Sequence, residues 1–89
     1  MQNKKRSMNT GVATISFMSQ FYPFKVVFKR RFTKGTLKGL THNDQVHHVS
    51  VVACKDWIAG VERNSARGAI DYELETTVIC HSGTGMPVE

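Results

Sequence analysis

The sequence of 89 residues predicts a small two-layer α+β domain of order β-β-α-β. The expected architecture is a three-stranded antiparallel sheet, order 2-1-3, with one helix packed on one face. Three patterns predict it. Residues 24–32 alternate apolar and basic side chains, residues 51–61 repeat apolar side chains at helical spacing, and residues 70–80 alternate again. The chain therefore divides into a basic, loosely ordered arm over 1–22, a single domain over 23–80 and a flexible, Gly- and Pro-punctuated tail over 81–89.

The first strand carries Phe24, Val26, Phe28 and Phe32 in one row and Lys25, Val27, Lys29 and Arg31 in the other. Period 2 assigns the aromatic row to the core rather than to a ligand. Only Arg30 interrupts that row, near the strand end, where a long side chain can reach outward to water. Residues 33–39, Thr-Lys-Gly-Thr-Leu-Lys-Gly, read as a hairpin loop in which Gly35 and Gly39 allow positive φ. Residues 40–49 form a more polar strand, as suits a sheet edge.

Ser50 is a good N-cap, and Val49 and Cys54 occupy the positions of a hydrophobic staple around it. Val51, Cys54, Ile58 and Val61, widened by Trp57, then predict a helix over about residues 51–63. In the last strand the pattern places Ile70, Tyr72, Leu74, Thr76, Val78 and Cys80 on one face and Asp71, Glu73, Glu75, Thr77 and Ile79 on the other. A right-handed crossover through the helix returns this strand beside the first. Lys25, Lys29 and Arg31 then face Asp71, Glu73 and Glu75 across neighbouring strands.

Charge is the main functional signal. Residues 1–43 hold nine Lys or Arg and no Asp or Glu, whereas residues 44–89 hold three basic and seven acidic residues. The net charge is +5 and the isoelectric point about 9.6. Such asymmetry points to a polyanionic partner, nucleic acid or an anionic surface, and the cations interleaved with Phe over 24–40 suit single-stranded nucleic acid, single-stranded DNA among them. Lys4, Lys5 and Arg6 of the arm, with Arg30, Arg31, Lys34 and Lys38, are the expected phosphate contacts. Lys34-Gly35-Thr36 and Lys38-Gly39 match a phosphate-cradling loop only loosely, because the order and the following helix of a nucleotide P-loop are missing.

Other chemistries find little support. Cys54 and Cys80 make no disulfide framework and read as small buried hydrophobes in a reducing, cytoplasmic setting. The four histidines and two cysteines lack the paired short spacings of zinc ligands, so no metal or cofactor is expected. No nucleophile stands beside a base, and no carboxylate pair lies in apolar surroundings, so an enzyme is not expected. No targeting segment or apolar run of spanning length is expected. A chain this short has a marginal core, and a homodimer would add buried surface. The competing class is a protein-interaction module, a scaffold or inhibitor, offering the edge strand at 40–49 and the acidic row Asp71, Glu73, Glu75 to another protein.

The run Phe24-Lys-Val-Val-Phe-Lys-Arg-Arg-Phe-Thr-Lys-Gly-Thr-Leu-Lys-Gly-Leu40 resembles the opening of small nonstructural proteins of gokushovirus-type microviruses. There a basic, aromatic strand also leads into a Thr-x-Gly-Thr/Asn-Leu-Lys-Gly-Leu turn, then a helix and a last strand. The resemblance covers about 24–79 in order of elements and 32–40 in motif. It implies a DNA-associated role in phage single-stranded genome synthesis or packaging, in the host cytoplasm. It also implies that Arg31, Lys34, Thr36, Lys38 and Gly39 are positions of contact.

Overall fold

A computed structural model describes residues 21–88. It contains β1 (Phe24–Phe32), β2 (Thr41–His48), α1 (Val51–Ala66) and β3 (Tyr72–His81). The sheet order is β2-β1-β3 with both pairings antiparallel, which is the expected α+β architecture. The arm with Lys4, Lys5 and Arg6 lies outside the described residues.

β1 is central because its helix-facing row, Phe24, Val26, Phe28 and Phe32, is apolar but for Arg30. Val26 and Phe28 are fully or nearly buried and, with Cys54 of α1, make the centre of the core. Phe24, Val46, Trp57, Ile58, Leu74 and Ile79 pack around them. The Phe28 and Trp57 rings meet at 5.0 Å, tilted by 47°, an arrangement that adds to simple burial. The aromatic row thus faces the helix, as its period requires.

α1 starts where the sequence places it. The Ser50 hydroxyl accepts from the Ala53 amide at 3.0 Å and satisfies one of the unpaired donors of the first turn. The expected staple is not made, since Val49 is 61% exposed while Cys54 is buried. The helix runs one turn past the expected end and stops at Arg67, followed by Gly68 at φ 73°.

β3 departs from its expected facing. Lys29 pairs with Thr76 but Arg30 pairs with Leu74, so Glu75 is an extra residue, a β-bulge. A bulge reverses the alternation. Tyr72 and Leu74 face α1, but beyond Glu75 it is Thr77 and Ile79 that do so, while Thr76, Val78 and Cys80 join the open face. The continuous row 70–80 expected from the sequence is thereby corrected into two half-rows, and both Leu74 and Ile79 reach the core.

After β3 the chain turns back along the strand. The His81 amide donates to the Met86 carbonyl at 2.8 Å, the Val88 amide donates to Ile79 at 2.9 Å, and Cys80 bridges to Pro87. Residues 86–88 therefore supply a short fourth run of backbone pairing along the outer edge of β3.

Candidate nucleic-acid interface

Three of the four cations of β1 meet carboxylates. Arg30 lies on the helix side, where its guanidinium donates to Asp44 Oδ2 at 2.9 Å and stacks 5.1 Å from the Phe28 ring and 4.7 Å from the Tyr72 ring. Its expected outward reach is replaced by an inward, stacked position, because two ring faces and a carboxylate lie within its span. Arg31 Nε donates to Glu73 Oε1 at 2.9 Å, and a second guanidinium nitrogen reaches the same oxygen. That hydrogen bond and the Glu73 charge raise the Arg31 pKa further above its ordinary value. Lys29 Nζ lies 3.6 Å from Glu75. The bulge decides who pairs: Lys25 aligns with Cys80 and His47 rather than with a carboxylate. Asp71 precedes β3, where its carbonyl accepts the Thr33 amide at 2.8 Å.

The loop from Thr33 to Leu40 is different. It contains Lys34 and Lys38 and no acidic residue. Among the described residues neither lysine is ion-paired with a carboxylate. Lys34 Nζ donates to the Gly68 carbonyl at 2.6 Å, just beyond the helix C-terminus, where unpaired carbonyls favour a cation. This ties the hairpin loop to the end of α1 and brings Arg67 to the same end of the molecule. Arg67 was not among the residues singled out from the sequence. Its signal was faint, a basic residue after the last helical turn.

The loop is closed by its own backbone. The Gly39 amide donates to the Phe32 carbonyl at 2.8 Å, the Phe32 amide to Leu40 at 3.0 Å, Lys38 to Gly35 at 3.2 Å and Leu40 to Leu37 at 2.9 Å. Gly39, at φ 87°, occupies the third position of the turn from Leu37 to Leu40, where a left-handed conformation is required. The amides of Lys38, Gly39 and Leu40 are consequently spent inside the loop, so the backbone cradle suggested by the glycines is not available at these three positions. Charge in this loop is presented by the ammonium groups, with the exposed Thr36 hydroxyl at the tip. At the base of the loop, Arg31, Phe32, Thr33, Lys38, Gly39 and Glu73 line an open cleft of about 290 Å³.

Other groups have simpler roles. Cys54 is buried, and burial pushes its thiol pKa up, away from nucleophilic chemistry. Among the described residues no three His, Cys, Asp or Glu side chains gather as a cation site, and no helix is long and apolar enough to cross a membrane. The free edge of β2 is partly blunted. Asp44 Oδ1 accepts the amide of its own neighbour Gln45 at 2.8 Å, which occupies one edge donor that an incoming strand would need.

The geometry defines a class of protein, a small α+β domain in which three of the four β1 cations meet carboxylates and whose hairpin loop carries two lysines that pair with no described carboxylate. The comparisons take it no further: no protein-family model, curated protein or solved structure matches the chain.

Proposed function

We propose that this protein is a non-enzymatic nucleic-acid-binding accessory protein that holds single-stranded DNA through its phosphates. Lys34 and Lys38 of the hairpin loop make the contacts, joined by the Lys4-Lys5-Arg6 arm. The observation that carries the reading is the division among the cations. Of the basic residues in 24–40, Lys29, Arg30 and Arg31 each meet a carboxylate, whereas Lys25, Lys34 and Lys38 do not, and of these three Lys34 and Lys38 stand together on the exposed loop. Lys38 and Lys34, the latter held by the neutral Gly68 carbonyl, keep charge that no described carboxylate offsets and can meet a polyanion. The resemblance of residues 24–40 to gokushovirus nonstructural proteins sets the reading in phage genome synthesis or packaging.

The protein-interaction alternative has less in its favour. Glu73 and Glu75 of the acidic row are occupied by Arg31 and Lys29. Strand addition meets Asp44 at the β2 edge, and at the β3 edge it meets the bulge and the returning segment.

Fluorescence anisotropy with labelled random-sequence oligonucleotides, over a salt series, tests the proposal. Binding should weaken with log salt by about 0.7 per phosphate contact and depend little on base sequence. Failure to bind single-stranded DNA at low salt would sink it.

A further inference from the structure

The hairpin loop carries a second feature that phosphate contact does not explain. Leu37 is 48% exposed and Leu40 is 57% exposed, on a loop whose other residues are Thr, Lys and Gly. Singly scattered exposed leucines are ordinary. These two sit at the ends of one hydrogen-bonded turn, with the Leu40 amide on the Leu37 carbonyl at 2.9 Å and Lys38 between them. The ends of such a turn lie within about 7 Å, roughly two nucleotide steps at ~3.4 Å rise. Turn chemistry does not require leucine at either place; polar residues are the usual choice there.

We propose, resting on the DNA-binding reading above, that Leu37 and Leu40 form an apolar wedge that packs on the faces of unpaired bases while Lys34 and Lys38 hold the flanking phosphates. The chemistry recognised is a base face, which every nucleobase offers, so the wedge selects single strands over duplex without selecting sequence. Two physical points favour it. Phe28, at 3% exposure, is buried against α1 and is not a stacking platform, whereas Leu37 and Leu40 are exposed on either side of Lys38 itself. The loop is also pre-ordered by the four backbone hydrogen bonds that close it and by the Lys34 tie to Gly68, so inserting it incurs little ordering cost. Charge complementarity to an anionic strand is supplied by the same loop, since it holds no acidic residue.

The test uses the full chain and a single-stranded oligonucleotide carrying 2-aminopurine, whose emission rises when its neighbours unstack. Wild-type protein should raise the emission. Leu37→Ala and Leu40→Ala should each weaken binding, together by about tenfold, while leaving the salt slope unchanged, because they remove apolar contact and no charge. Leu37→Phe should restore or increase both signals. Both leucines are exposed, and unchanged circular dichroism of each variant confirms folding. If the oligonucleotide binds but the leucine variants match wild type in affinity and emission, the wedge is refuted while phosphate binding stands. If wild type does not bind at all, both fall. If wild type leaves 2-aminopurine unchanged but sediments with phosphatidylserine vesicles, and Leu37→Ala does not, the loop is a membrane contact and the proposal is overturned.

Discussion

Replacing Arg30 by glutamine should destabilise the fold without weakening nucleic-acid binding. Three contacts are lost. The Asp44 ion pair is 2.9 Å long, but its members are 21% and 46% exposed, so solvent screening limits it to about 0.2–1 kcal/mol. The two ring contacts, at 5.1 and 4.7 Å, contribute about 0.5–1 kcal/mol each. Together these give about 2 kcal/mol, a large fraction of what so small a domain holds in reserve. Urea denaturation followed by Trp57 fluorescence reads it directly, because Trp57 lies against Phe28 in the core. With a slope of about 1 kcal/mol per molar, the midpoint should fall by about 2 M. Asp44→Asn removes the charge of the ion pair but keeps an oxygen for the Gln45 amide, so it should cost less than half as much. If Arg30→Gln leaves the midpoint within about 0.3 M of wild type, stacking does not hold Arg30 and the assignment of this cation to the fold is wrong.

Three further outcomes follow from the geometry. Ser50→Ala should cost about 1 kcal/mol in the same urea assay, because the Ala53 amide loses its acceptor. Gly39→Ala should cost about 1 kcal/mol even though a Cβ there meets nothing within 4 Å, since the strain comes from φ +87° alone; a neutral result would show that the loop relaxes. His47 has a pKa below its ordinary 6.5, first from burial, then from the charge of Lys25 and from His48. The unfolded chain then binds the proton more readily, so this contribution is complete above pH of about 6.5 and is lost as pH falls below it. Thermal midpoints measured from pH 7.5 to 5.5 should therefore decline, and His47→Gln should flatten the decline.

Much of the fold was legible because its signals are redundant. In β1 the Phe and Val row and the basic row differ so sharply that only one face can be buried. Ser50 before an apolar helical repeat marks a start for a clear physical reason, the unpaired amides of the first turn. The bulge at Glu75 was not legible, and the residues around it show why. Thr76 and Thr77 are identical, and Val78 and Ile79 are near-equivalent in size and polarity, so the strand reads the same with either alternation. A one-residue insertion leaves no trace when the neighbouring residues fit both faces.

The candidate site was legible as composition and less so as position. Counting charge flagged Arg30 and Arg31 together with Lys34 and Lys38, but the fold separates them by what lies opposite. The crossover placed Arg31 and Lys29 opposite Glu73 and Glu75, whereas the Arg30–Asp44 pair was not legible, because Arg30 reads as a side chain that reaches outward to water. Leu37 and Leu40 were unremarked for the opposite reason. In a run of Thr, Gly and Lys they pass for ordinary apolar residues until their exposure shows that no core contains them.

The central claim is that the loop lysines, and not the strand cations, meet the DNA phosphates. The most direct measurement is the salt dependence of oligonucleotide binding for two double variants. Lys34→Gln with Lys38→Gln should reduce the slope by about 1.4, two contacts at about 0.7 each, whereas Lys29→Gln with Arg31→Gln should leave it unchanged. The reverse pattern, with the strand pair lowering the slope and the loop pair leaving it intact, would contradict the account.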